Sequence, residues 1–188
     1  MQKLNTSLRA FIAFAVLLGL VYPLFIIGVS KVFFPCQAKG SLIKQQDKII
    51  GSTLIAQEFT SSKYFHSRFS ASNYNAASSG VEGLAPSSKK LIEQSEGRIK
   101  QVRLENGLYD NSKLPADIVL DSSSGLDPHI SVANAMLQAP RVAGQRGLPE
   151  SKIQKLIRAN TDPDFIGVWG KEGVNVLRLN WALDSGKK

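Results

Sequence analysis

The chain has 188 residues, 43% of them hydrophobic, and carries 23 Lys+Arg against 15 Asp+Glu for a net charge of +8. That balance is globular rather than disordered, and a single cysteine excludes an internal disulfide. Two distant histidines without a CxxC or HExxH spacing exclude the usual zinc signatures, and no basic run or aromatic–basic interleaving supports nucleic-acid binding.

The stretch Ala10 to Ser30 has no charged side chain between Arg9 and Lys31. About 20 helical residues, rising ~1.5 Å each, cross the roughly 30 Å hydrocarbon layer of a bilayer. The expected organisation is therefore a short N-terminus over 1–9, a transmembrane helix over 10–30 and one soluble domain over 31–188. A cleaved signal peptide has a shorter apolar core. Pro23 removes a backbone hydrogen bond and predicts a kink, Tyr22 beside it is expected to face a partner rather than lipid, and Ala15 with Gly19 forms a small-xxx-small pair. Lys3 and Arg9 precede the span while Lys31, Lys39, Lys44 and Lys48 follow it, and this pattern alone leaves orientation open. The excess positive charge fits a solubilising surface or attraction to anionic lipid head groups.

Beyond the span, Val32-Phe33-Phe34 is expected at the interface, with Pro35 closing the helix and Cys36 as a small packing residue. Residues 40–43 and 48–51 bracket the polar turn 45–47 and read as a hairpin, and Ser52 to Phe59 reads as a strand or one helical turn. Ser70 to Gly83 is a loop of small polar residues. Ser87 or Ser88 caps a helix running towards Asn106, with Leu91, Ile99 and Val102 on one face. Pro115 to Leu120 reads as a strand. Ser131 caps a helix over 132–139 that Pro140 breaks, and a short second helix over 141–146 ends at Gly147. Pro149 and Glu150 open another, with Ile153, Leu156 and Ile157 inward and Asn160 at its end. Residues 165–169 and 174–179 flank Gly170 to Gly173 as a hairpin. Mixed elements without a regular βα alternation give an α+β domain.

Chemistry concentrates in the loop Asp121 to Ser131. Its serines, Gly125 and the helix that follows could hold an anion on free amides, or could simply satisfy the loop's own backbone. A triad of Ser123 or Ser124 with Asp127 and His129 lacks the GxSxG elbow, although a membrane-tethered serine hydrolase using Ser124 and His129 is the alternative reading. Arg141 and Arg146 could pair with a carboxylate or phosphate, or compensate a helix dipole; Gln138 reads as an ordinary helix residue.

Several blocks together resemble one known family. They are Val21-Tyr22-Pro23-Leu24, the run Phe34 to Ile43, Gly51 to Gln57, Tyr64-Phe65-His66-Ser67-Arg68, the run Ser124 to Ser131, Arg141-Val142-Ala143 with Arg146-Gly147-Leu148, and Val174 to Leu177 with Leu179-Asn180. In this order they resemble the C-subunit family of the bacterial Kdp potassium-transporting ATPase. Phe69 stands where that family usually has proline, and Val81-Glu82-Gly83-Leu84-Ala85 replaces a different stretch in the same loop. The resemblance implies a single-span, non-catalytic accessory subunit of an inner-membrane complex. Its partners would be a channel-like, potassium-binding subunit and an ATP-hydrolysing P-type subunit, so that ATP and potassium are handled by the complex and no cofactor is bound directly. The family is described as a catalytic chaperone that raises ATP affinity through a serine/glycine/glutamine signature, which falls here on Ser123, Ser124 and Gly125, with Gln138 a looser match. Tyr64, Phe65, Arg68, Asp127, His129, Arg141 and Arg146 become candidate loop or partner contacts. The family's domain lies on the external face, whereas ATP is cytoplasmic, so an effect on nucleotide affinity would be transmitted through the complex.

Overall fold

A computed structural model describes residues 2–164 and 170–186, which form two compact units, one up to Leu42 and one from Ile43 onward. The chain is mixed helix and strand: one long apolar N-terminal helix followed by an α+β domain.

The first unit is almost entirely helix. α1 (Gln2–Val16) passes into a π-helical turn (Leu17–Val21) and then α2 (Tyr22–Phe33). Within the stretch from Lys3 to Phe33 the most apolar 18-residue window has a mean hydropathy of 2.6 and no buried residue, so its greasy surface faces outward all round. The wide turn answers Pro23. A proline ring clashes with the carbonyl four residues back, and here the Tyr22 amide reaches the Leu17 carbonyl, five residues back, so that the backbone opens beside the bond Pro23 cannot make. The helix continues past the expected end at Ser30. It stops at Phe34, pushed out of helical geometry by the proline after it (φ −132°, ψ 53°), and Pro35 opens a new short helix, α3 (Pro35–Ala38), instead of closing the old one.

The second unit begins with the expected hairpin, β1 (Leu42–Gln45) and β2 (Lys48–Ser52), turning on Gln46 and Asp47 in left-handed conformation, the twist that suits a two-residue hairpin. Residues 53–59 form neither strand nor helix beyond one turn. The loop of small polar residues is fastened by hydrogen bonds instead of burial: the Tyr74 hydroxyl donates to the Arg68 carbonyl and Ser70 Oγ to the Gly125 carbonyl. α4 (Lys89–Asn106) starts after Ser88 as expected, but the Ser88 side chain makes no cap hydrogen bond; Gly107 ends the helix.

Three expectations fail here. Residues 116–118 form a 3-10 turn, not a strand, because the Asp117 carboxylate is turned to the N-terminus of the next long helix. That helix, α5 (Val132–Arg146), runs straight through Pro140 to Gly147. Buried Ala139, Val142 and Ala143 flank the proline on both sides, and their packing outweighs the missing bond. Residues 174–179 are not one strand: Asn175 accepts the Arg178 amide and caps α7 (Val176–Asp184), leaving only β5 (Gly173–Asn175) extended. Residues 165–169, the other arm of that expected hairpin, lie outside the described residues.

β5 is the centre of a three-stranded antiparallel sheet, between β3 (His129–Ile130) and β4 (Thr161–Asp162), with His129 opposite Asn175 and Asp162 opposite Gly173. α6 (Glu150–Ala159) lies against α5 and buries Ile153 and Ile157 as its spacing predicts. The core joins these side chains to Phe65, Ile130, Ala135, Val142, Val174 and Leu179. A smaller cluster of Val102, Ile118 and Val119 sits under α4, with Phe69 packed against it.

Candidate functional site

The block Tyr64 to Arg68 is an extended segment gripped by side chains of α5 and α7. Phe65 is fully buried, and its backbone meets one primary amide in both directions: its N–H donates to Asn180 Oδ1 and its carbonyl accepts from Asn180 Nδ2, each at 2.9 Å. His66 does the same with Gln138, donating to Oε1 at 2.8 Å and accepting from Nε2 at 3.2 Å. Two carboxamides thus imitate a neighbouring strand and satisfy buried backbone that has none.

Arg141 lengthens the grip. It donates to the Ser62 and Tyr64 carbonyls (2.7 and 3.0 Å), to Asn106 and to Gln138 Oε1. One turn further, Arg146 donates to the Lys63 carbonyl and to Asp184 Oδ1 at 2.8 Å, while its guanidinium lies 4.8 Å from the Tyr64 ring centroid. The Tyr64 hydroxyl completes the triangle on Asp184 Oδ2 at 2.8 Å; that bond, then burial, raises the phenol above its usual value. Of the residues expected at a partner surface, Phe65 offers none, and Tyr64, Arg141 and Arg146 spend their polar atoms on the chain itself.

The loop from Asp121 to Ser131 is equally self-absorbed. Gly125 has φ +69°, and a Cβ there would stand 2.9 Å from the Gly80 carbonyl oxygen, so the position takes only glycine. Its amide donates to the Ser122 carbonyl, the Leu126 amide donates to Ser124 Oγ, and the Ser124 carbonyl accepts from the Gly80 amide. Ser131 caps α5 as expected, but an anion's place at that helix end is taken by Asp117, which accepts from the Ser131 amide and hydroxyl and from Asn134 Nδ2. Ser123 and Ser124 line an open groove of about 510 Å³ with Leu54 and Asp127, whereas Gln138 lines a separate cavity. The signature residues are not brought together.

Among the described residues, the His129 ring pairs with carboxylates and not with Ser123 or Ser124. Its Nε2 lies 2.9 Å from Asp162 Oδ2 and its Nδ1 faces Asp127 Oδ1 at 3.7 Å. To reach Asp162 the ring crosses β5 at Gly173, where an added Cβ would lie 3.2 Å from His129 Cβ. The Asp127 carboxylate facing the ring, then Asp162, raises the imidazole against the pull of burial. Burial works to raise the Asp127 carboxyl, but hydrogen bonds from His129 and Arg68 hold it low; Asp162 is held low chiefly by Arg178, with His129 second. Arg68 bridges Asp127 Oδ2 (3.1 Å) and the Asp121 carbonyl (2.9 Å). The arrangement His129–Asp127–Arg68 fastens loop to sheet and assembles no nucleophile with a base. Among the described residues no group of His, Cys, Asp and Glu could hold a metal ion.

The two departures have structural counterparts. Phe69 lies under the Arg98 guanidinium, 4.5 Å from its ring centroid, while Arg98 pairs with Asp121 at 2.9 Å. Glu82 pairs with Lys90 at 2.9 Å and joins the altered stretch to α4. Asp117, Asn134, Asp162, Asn180 and Asp184 were missed as site residues. The legible signal for two of the grips was Asn134, Gln138 and Arg141, polar residues at helical spacing on the face that also carries Ala135, Ala139 and Val142.

The family model described as "K+-transporting ATPase, c chain" matches residues 4–185. A protein of Caldanaerobacter subterraneus subsp. tengcongensis named potassium-transporting ATPase KdpC subunit is 44% identical over 182 residues, 97% of this chain and 94% of its own. Proteins of the same name from Mycobacterium tuberculosis and Cereibacter sphaeroides are 44% and 42% identical over 185 residues, covering 97% and 98% of this chain and 98% of each relative.

Proposed function

The chain belongs to the KdpC family, the c chain of potassium-transporting ATPases, and from that premise we propose that it is a non-catalytic, membrane-anchored subunit that assembles and stabilises such a complex. The observation that carries this reading is the family match over nearly the whole chain, anchor and domain alike. The exposed apolar helix supports insertion in the plasma membrane as a single span, where its side chains can meet lipid or the helices of a partner.

The partners proposed are the channel-like subunit that selects potassium and the P-type subunit that hydrolyses ATP. The domain is placed on the extracytoplasmic face, over the potassium entrance. The Gly125 amide's bond to the Ser122 carbonyl and the separation of Gln138 from this loop favour an indirect route for any rise in ATP affinity: the subunit shifts the conformational balance of its partners without touching nucleotide.

Replacing residues 2–33 by an unrelated single-span helix, with the domain intact, tests the assembly role. The expected result is loss of co-purification with the channel-like and ATP-hydrolysing subunits; full retention of the complex would overturn it. Protease cleavage of a C-terminal tag from only the external side of sealed vesicles is the expected topology, and cleavage from only the cytoplasmic side would return direct nucleotide contact to consideration.

A further inference from the structure

The β1–β2 hairpin is held to the domain at its root and free at its tip. Residues 44–49 are all exposed. Contact with the domain begins at Ile50, whose carbonyl accepts from Gln57 Nε2, and at Gly51, where a Cβ would collide with Gln57 and Leu177. The two-residue turn sets Lys44 opposite Ile49, so both project from one face, and Ile49 is 59% exposed. Gln46 and Asp47 both take positive φ (47° and 63°), where glycine and asparagine are preferred, so the tight tip is kept at a conformational cost.

Charge and chain connectivity say what this tip can meet. Residues 31–49 carry Lys31, Lys39, Lys44 and Lys48 against Asp47 alone. The apolar helix ends at Phe33 and β1 begins at Leu42, nine residues on. At ~3.5 Å per residue, even a fully extended chain keeps the start of the hairpin within roughly 30 Å of the end of the span. Lysine is depleted in the buried centres of protein interfaces, whereas lysines flanking an apolar side chain are the composition of segments that rest on lipid.

We propose that the tip of this hairpin docks on an anionic lipid surface, Lys44 and Lys48 meeting head-group phosphate and Ile49 entering the interfacial layer. Basic residues near such a surface are attracted singly and additively, and the attraction fades within a Debye length. The docking rests on the membrane anchoring proposed above and is the same on either face of the bilayer.

The test is an Ile49→Trp reporter in the full-length chain, reconstituted in vesicles of head-group-proximal brominated phosphatidylcholine, with or without phosphatidylglycerol. Trp169 and Trp181 are common to wild type and variant, so the difference between the two reads the new indole. A blue-shifted, bromine-quenched indole is expected with phosphatidylglycerol and not with phosphatidylcholine alone. High salt should reverse it, and Lys44→Gln with Lys48→Gln should weaken docking about tenfold or more. An unquenched indole in a chain that floats with the vesicles overturns the docking and leaves the anchor standing; a chain that does not float with them overturns both. Equal quenching in phosphatidylcholine, or quenching unchanged by the double lysine variant, also overturns it. An indole shielded only when the channel-like subunit is co-purified, and never quenched by lipid, assigns the tip to a protein contact instead.

Discussion

Helices α4 and α5 lie against one another, and intrinsic propensity ranks them in the wrong order. α4 has 18 residues rich in Lys, Glu, Gln and Arg, with one internal glycine, and buries only Val102. α5 has 15 residues, a proline and two asparagine or glutamine side chains on its inner face, and buries six residues. The helix with poorer local credentials is the one the domain is built on. Helices in proteins are held mostly by what they bury, and α5 buries both apolar surface and the hydrogen-bonding groups of a segment that has no strand beside it.

The sharpest way to break this contrast is at the segment α5 holds. Phe65→Ala should lower the stability of the full chain by about 3–5 kcal/mol, read as a large drop in thermal midpoint, because a fully buried ring leaves a cavity. Next comes the amide itself: Gln138→Ala strands the His66 N–H and a donor of Arg141, an expected loss of about 2–3 kcal/mol. The matching change under α4, Val102→Ala, should cost only about 1.5 kcal/mol, since it removes two methyl groups from the smaller cluster. If Val102→Ala proved worse than Gln138→Ala, the ranking of the two helices would reverse. Gly97→Ala on α4, where an added Cβ meets nothing within 4 Å, should stabilise by about 0.5–1 kcal/mol.

The smallest effect expected is a pH slope. The folded state raises the pKa of His129, so its stabilisation is complete below the ordinary imidazole value and fades as pH rises through the folded one. His66 is shifted the other way and opposes this slope, its contribution falling as pH drops through the ordinary imidazole value. The difference between wild type and His129→Gln isolates the first effect. It should amount to less than about 1 kcal/mol, because His129 and Asp162 are both substantially exposed. Asp127 and Asp162, both held low, add stability that is lost only as pH falls into the carboxylate range.

These comparisons also explain what could be read in advance. The apolar span, the hairpin at 42–52, the cap at Ser131 and the helix opening at Pro149 and Glu150 are local matters, decided within a few residues by charge, turn chemistry or a missing amide. The 3-10 turn at Asp117, the passage through Pro140 and the strand-to-helix switch at Asn175 depend on partners 14 or more residues away or on the core around them. The same is true of the candidate site. Ser123, Ser124 and Gly125 form a visible run, but the Ser124 and Gly125 carbonyls accept from residues 70–80, and no spacing rule links the two loops. Gln138 looked ordinary because its partner is the backbone of His66, 72 positions earlier.

The widened turn at Leu17–Val21 has its own effect on any helix that packs along this one. One extra residue in a turn advances everything after it by about 100° relative to an uninterrupted spiral. A companion helix that follows the Ala15–Gly19 side along the lower half would therefore meet a different meridian above Tyr22. A regularised span with that residue deleted would keep its greasiness and lose its phasing.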